Sequence, residues 1–340
     1  MNCSNWPTGW PVRGSSRSPW NRPGVFWKPV FNLLGARFTT TVVNAQPIKQ
    51  VPGRKTDVKD CQWIAQLLQH GLLRASFVPP RPIRELRDLT RQRTQLIRQR
   101  ATQANRLQKV LEDANIKLAG VATDVLGTSG RALIRALSAG ESDPARRAEL
   151  ARRRMRAKIP RLVRALTGRV TDYHRYQLRA LMEQVEHLEG RIERLDARIQ
   201  EVTAPFAAEV GRLATIPGVN RQAAEVLIAE VGTEMTAFPT AGHLCSWAGM
   251  SPGNNQSAGK RYSGRTTKGN QWLRSVLIQA AWAASHTKQT RLSLTYHRLA
   301  RRIGKERAAV AVGRKILKLV YELLTHRTVY QERSAPDQAA

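Results

Sequence analysis

The chain has 340 residues, 41% of them apolar, which is enough for globular folding and too much for one ordinary core, so two or three domains are expected. A formal charge of +31 far exceeds what solubility requires and points to a polyanionic partner, nucleic acid ahead of a membrane surface. No apolar run is long enough for a spanning helix, no secretory signal opens the chain, and the three scattered cysteines (Cys3, Cys61, Cys245) have no zinc spacing and suit a reducing cytoplasm.

Residues 1–23 mix Trp6, Trp10 and Trp20 with Ser, Pro, Arg and Gly and show neither helical nor strand periodicity, so they read as a disordered leader. The first acidic residue of the chain is Asp57. The β-branched run Phe38 to Val43 predicts a strand, and residues 56–69 predict a helix with Thr56 as N-cap and Gly71 as stop. The V-P-P-R-P stretch at 78–82 predicts a linker. Beyond it, Leu86, Leu89, Leu96, Leu107 and Leu111 predict a long helix over 83–113, with nine basic and four acidic residues between Arg81 and Asp113. A second basic cluster, nine cations against Glu149 alone between Arg146 and Arg164, favours phosphate contact over a solvated helix face.

Leu178, Leu181, Val185, Leu188, Ile192, Leu195, Ile199 and Val202 alternate steps of three and four, the seam of a coiled coil. Four basic against six acidic residues in that stretch suggest that it meets another helix and not DNA, either in a second copy of the chain or in an intrachain hairpin with the 83–113 helix. Further on, Leu213 to Gly232 places Pro217 and Gly218 in a tight turn between two apolar helices, like a helix-hairpin-helix whose backbone N–H groups face a phosphate; a helical hairpin that only packs reads the same way. Amphipathic helices follow at 272–285 and 306–326.

Two places carry candidate chemistry. Asp57 and Asp60 lie one helical turn apart, a spacing at which two carboxylates can share a Mg2+ ion; the helix dipole also favours acids there without any metal. The Gly- and Ser-rich segment 249–274 holds Ser257 in S-A-G-K, followed by Lys260, Arg261, Arg265, Lys268 and Arg274. A serine that attacks a phosphodiester needs cations to neutralise developing charge, and from Gly259 to Lys315 there are fourteen basic residues against Glu306 alone. By residue type alone, a basic loop that merely grips nucleic acid fits this segment equally.

Taken in order, G-V-F-W-K-P-V from Gly24, V-N-A-Q, K-T-D-V-K-D, R-E-L-R-D-L-T-R, I-P-G-V, G-M-S-P-G-N-N-Q-S-A-G-K and G-R-T-T-K-G-N-x-W-L-R resemble the insertion-sequence 110 transposases up to about residue 325. The resemblance implies a mainly α fold with a partial α/β part: a partial, truncated DEDD domain of RuvC-like fold over 24–80, a helical and coiled-coil region over 81–203 that joins protomers through residues 178–202, an all-α serine transposase domain over 204–328 and a tail at 329–340. It implies RNA-guided DNA recombination at the nucleoid, with Asp57 and Asp60 as the last two carboxylates of a Mg2+ tetrad and Ser257 forming a phosphoserine link to DNA. Pro217, Gly218, Lys260, Arg261, Arg265, Lys268 and Arg274 are then the nucleic-acid contacts. One departure bears on activity. Asn21 stands where the family carries Glu, so residues 1–23 read as foreign sequence after truncation or a frame change, and half a tetrad would hold Mg2+ weakly. The alternative expectation is an inactive relic that only binds nucleic acid; a purely RNA-binding basic protein would fit the charge but not the Ser257 segment.

Overall fold

A computed structural model describes residues 27–35, 38, 40–43, 57–73, 75–253, 255–257 and 260–332, in two compact units that divide between Pro80 and Arg81. The leader 1–23, Asn21, the Thr56 cap and the last eight residues lie outside the described residues.

In the first unit, α1 spans Trp27–Leu34 and α2 spans Asp57–Gln69. Trp27 and Phe31, one turn apart, meet edge to face at 5.6 Å. The strand expected over 38–43 is not a strand among the described residues. Its β character is reduced to one isolated antiparallel bridge, Val43 with Ala75, beside Ser76 N donating to Val42 O at 2.7 Å. Propensity selects extended backbone, but a strand also needs a continuous partner, and among the described residues the pairing extends over a single bridge. The chain leaves α2 through Gly71 at φ 67, the expected stop.

The second unit opens with α3, Arg81–Asp113, with Pro82 in its first turn, where its missing N–H has no helical partner to lose. The 146–164 stretch and its neighbours form a small helical cap: α4 (Thr128–Ala139), α5 (Pro144–Glu149), a 3-10 turn at Arg153–Lys158 and α6 (Ile159–Ala165). α7, Asp172–Thr203, then returns along α3. The cap enters and leaves at one end of this long hairpin, because Arg169 N donates to Ala114 O (2.9 Å) and Lys117 N to Ala165 O (2.8 Å). Thr171 and His174 cap the start of α7 reciprocally, and His174 Nε2 meets Asp113 Oδ2 at 2.9 Å, joining the end of α3 to the first turn of α7. One core runs through both parts, from Leu107 and Leu111 through Leu133, Ile134 and Leu162 to Leu178 and Val185.

The intrachain reading of the 178–202 seam is therefore what the fold displays. Leu178, Leu181, Val185 and Ile199 are buried, and α3 is the partner. Arg93 pairs with Asp196 and Arg100 with Glu189: seven residues forward in α3 match seven back in α7, so the helices run antiparallel. This explains an acid-rich helix in so basic a chain, since its carboxylates answer arginines of α3.

The C-terminal part packs α8 (Ala207–Ala214), α9 (Arg221–Val231), α10 (Ala241–Trp247), α11 (Gln271–His286), α12 (Arg291–Ile303) and α13 (Lys305–His326), with α13 lying against α10, α11 and α12. Asn220, Thr240, Asn270 and Thr290 each supply a side-chain oxygen to the first turn of the helix that follows. α12 was not anticipated from apolar spacing, although Thr290 before it and Gly304 after it mark its ends. The mainly helical fold holds, with one addition to an otherwise all-α domain: the short antiparallel hairpin of β1 (Asn255–Ser257) and β2 (Lys260–Ser263). No helix among the described residues is long and apolar enough to cross a membrane.

Candidate functional site

Ser257 is the last residue of β1 and pairs in register with Lys260, the first of β2, while Gln256 pairs with Arg261 and Asn255 with Ser263 around a bulge. The hairpin tip thus brings Ser257 and Lys260 to opposed positions with Arg261 beside them. Below the tip the two arms stay joined by a Pro252–Thr266 bridge and by Gly253 N donating to Arg265 O at 2.8 Å. Arg265 and Lys268 are exposed along the second arm.

The arms cross at Gly249 and Gly269. Gly249 has φ 68, and a Cβ there would come within 2.7 Å of Gly269 N and Thr267 O; a Cβ on Gly269 would overlap the Ala248 carbonyl. Only glycine at both positions lets the two backbones approach this closely. Arg274 ties the crossing to α11, its Nη1 donating to Gly249 O (3.0 Å) and Thr266 Oγ1 (2.7 Å). Expected on nucleic acid, Arg274 holds the base of the serine hairpin in this structure.

A second anchor escaped the sequence reading. Glu230, at the end of α9, is fully buried, and a carboxylate at a helix C-terminus is disfavoured by the dipole as well as by burial. Arg91 answers it with two parallel bonds of 2.7 and 2.8 Å, and Asn270 Nδ2 donates to Oε2 at 2.6 Å. Arg87 lies 3.5 Å from the same carboxylate and donates to the Ala229 and Glu230 carbonyls at 2.9 and 2.8 Å, satisfying the end of α9. Burial lowers the Arg87 guanidinium below its usual range, against the pull of Glu230. Through its Oδ1, Asn270 accepts from Trp272 N and Leu273 N and so starts α11, and Arg91 and Arg98 lie over the Trp272 ring at 5.7 and 5.1 Å. One buried carboxylate therefore joins α3, α9 and the residue next to Gly269. The available signal was an acid inside the apolar helix A-A-E-V-L-I-A-E-V, whose charge had to find cations elsewhere.

Pro217 and Gly218 occupy the turn between α8 and α9 as expected, closed by Val219 N to Ile216 O at 2.9 Å. Gly218 (φ 86) lies against α11, where a Cβ would overlap Ala280 O and approach the Ala284 Cβ at 2.9 Å. Close helix packing thus accounts for this glycine, in keeping with a helical hairpin that packs.

Asp57 and Asp60 fall in the first turn of α2, three residues apart. Among the described residues no group of three or more His, Cys, Asp or Glu side chains is placed to hold a metal ion.

The basic cluster on the cap divides in two. Arg147 is buried and donates to the Ser142 and Asp143 carbonyls, and Arg156 pairs with Glu149. Arg152, Arg153, Arg154, Arg161 and Arg164 are exposed and form no ion pair among the described residues.

A sequence profile described as Transposase, of the DEDD type of insertion sequence 110, matches residues 17–116, beginning upstream of Gly24 and running through α3. A second, described as Transposase IS116/IS110/IS902 family, matches residues 210–297 and takes in the whole serine hairpin. Among curated relatives, a probable family 20 transposase of Pseudomonas aeruginosa is 24% identical over 90% of this chain and 82% of its own length. The transposase for insertion sequence element IS1111A of Coxiella burnetii is 23% identical over 88% of this chain and 75% of its own. The pilin gene-inverting protein of Moraxella bovis is 26% identical over 44% of this chain and 48% of its own.

Proposed function

The chain belongs to the insertion-sequence 110 family of transposases, a class of DNA recombinases, and from that premise we propose that it cuts and rejoins DNA through a covalent phosphoserine at Ser257, directed by a structured guide RNA. The observation that carries this reading is the serine hairpin, whose tip pairs Ser257 with Lys260 while its base is fastened by Gly249, Gly269, Arg274 and the Glu230 cluster. A nucleophile acts fastest from a support that does not yield, because alignment of the reacting atoms is then established before reaction.

In the cutting step the Ser257 oxygen forms an ester to a DNA phosphorus, the bond from that phosphorus to one sugar oxygen breaks, and the serine proton is relayed through a base to that sugar oxygen, which leaves as a hydroxyl. The reverse attack by a sugar hydroxyl frees the serine and seals the strand. Lys260, Arg261, Arg265 and Lys268 supply the positive charge that the phosphate gathers in the transition state. Asp57 and Asp60 are the ligands this chain offers to a divalent cation, here assigned as Mg2+, which when bound neutralises phosphate charge and activates an attacking oxygen. The net charge of +31 supports a polyanion larger than one DNA site, in keeping with a guide RNA held in the cytoplasm at the nucleoid. For association between copies, the support is that Leu188, Ile192 and Leu195 of the α7 seam remain half-exposed after α3 has packed.

One observation favours a second reading, a chain that binds nucleic acid without cutting it: Asn21 stands where the family has a glutamate. The deciding experiment incubates the protein with Mg2+, its RNA and DNA carrying the element's ends, then denatures the mixture. A protein–DNA adduct that survives denaturation and is absent with Ser257→Ala supports cutting. Salt-sensitive DNA binding with no adduct, unchanged by Asp57→Ala or Asp60→Ala, overturns it in favour of binding alone.

A further inference from the structure

Away from the serine hairpin, α12, α13 and the segment that follows α13 enclose a groove of about 1150 Å3. Arg291, Lys315, Lys318, His326 and Arg327 line it, against Glu322 as the one acid in its wall. None of these five forms an ion pair among the described residues; Lys315 has only a 3.4 Å hydrogen bond to Thr295 Oγ1. Like charges held together in a concave site raise the free protein's energy and fall in energy when an anion enters. Lys315 registers this: burial lowers its ammonium from the usual lysine range, and Arg291, Arg298 and Lys318 lower it further. The groove also has an apolar side, Leu292, Leu319 and Leu323, and an aromatic ring, Tyr330.

The segment at the groove's edge carries its own anion. Glu332 Oε1 accepts from Arg291 N, the first amide of α12, at 2.8 Å, and its Oε2 accepts from the Tyr330 hydroxyl at 2.9 Å. Tyr330 N in turn donates to Thr215 Oγ1 at 2.9 Å, fixing the segment on the turn after α8. A carboxylate on the first amide of α12, at the edge of a cationic groove, stands where a phosphate oxygen is equally well received.

We propose that this groove binds the phosphodiester backbone of a single-stranded nucleic acid, with the Glu332 carboxylate holding the place of one phosphate until the strand displaces it. Cations along α12 and α13 follow the backbone, while the half-buried Leu319 and Tyr330 offer the bases an apolar, stacking surface, the combination that single strands require and duplexes do not. This inference takes its ligand class from the proposed function but does not depend on cutting at Ser257.

The test titrates the full chain by fluorescence anisotropy against a short labelled DNA single strand, the same sequence as RNA, and the DNA duplex, across a range of salt. Lys315→Gln with Lys318→Gln should weaken single-strand binding roughly tenfold and reduce the salt slope by about 1.4, two phosphate contacts at about 0.7 each, with less loss on duplex. Glu332→Gln should tighten single-strand binding severalfold. The probe with the larger response identifies DNA or RNA as the source of the strand, and equal responses mean that the shared backbone is what is held. An unchanged salt slope in the double variant, an equal loss on duplex DNA, or no gain with Glu332→Gln overturns the proposal. Single-strand binding that follows these variants while no adduct ever forms removes the cutting function and leaves the groove standing; an adduct with indifferent variants does the reverse.

Discussion

The Glu230 cluster and the groove beside α13 treat charge in opposite ways. In the first, one fully buried carboxylate is met by Arg91, Arg87 and Asn270, so both guanidinium groups are engaged inside the protein. In the second, five basic side chains face one acid and are left for something from outside. The contrast sorts the many cations of this chain more usefully than their number does. An arginine already matched by a carboxylate, or like Arg147 and Arg274 by carbonyls, holds the fold together; one left unmatched is open to an anionic ligand.

The comparison can be broken most forcefully at Glu230. Glu230→Ala removes the buried carboxylate that Arg91 and Arg87 share and should destabilise the protein by about 3–5 kcal/mol, measured by urea unfolding, whereas Glu230→Gln should cost less by keeping the bond to Asn270. A loss under about 1 kcal/mol for Glu230→Ala would mean that the cluster is not a support at all.

A smaller effect is expected at Glu189, which accepts from Arg100 of α3 at 2.7 Å and from Arg131 of α4 at 2.5 Å and so fastens the cap to the long hairpin. Burial raises its carboxyl, but the two guanidinium hydrogen bonds outweigh it and leave the group below its ordinary 4.5. A depressed acid stabilises the fold fully above the unfolded value and loses that contribution as pH falls through the folded one. Glu189→Gln should therefore cost about 1 kcal/mol at neutral pH, since the site is partly exposed, and the gap between the two proteins should close as pH drops below 4.5. A gap that does not change with pH would remove the charge from the explanation.

The smallest change in stability should come from Arg152, Arg153 and Arg154. Replacing all three by Gln should move stability by no more than about 0.5 kcal/mol, yet the salt dependence of nucleic-acid binding should weaken by about one contact or more. A marked loss of stability would place these arginines with Arg147, inside the structural set.

How much of this was legible follows the same division. The helix 81–113 and its antiparallel partner are readable because leucines recur at helical spacing on both, and the acid excess of the second already suggested a helix for a neighbour. Pairings between distant residues left weaker traces. Phe38 to Val43 has strand propensity and only a one-bridge partner; the Ser257 segment has little strand propensity, yet forms a hairpin because Gly249 and Gly269 bring its arms together. Glu230 was legible only as an anomaly, an acid among apolar neighbours whose partners lie about 140 residues away on α3 and 40 residues onward at Asn270. The motif resemblance located Ser257, while its support is visible only in three dimensions.

The crossing of Gly249 and Gly269 divides the serine segment into parts with different freedom to vary. At the crossing, any side chain forces two backbones apart, so both positions must stay glycine together and a change at one is not rescued by a change at the other. Beyond it, the stem of the segment from Pro252 to Thr266 is held by the Pro252–Thr266 bridge, the Gly253–Arg265 bond and Arg274. Descendants of this chain, or a library built from it, can therefore alter the length and chemistry of that segment while the crossing beneath is inherited unchanged.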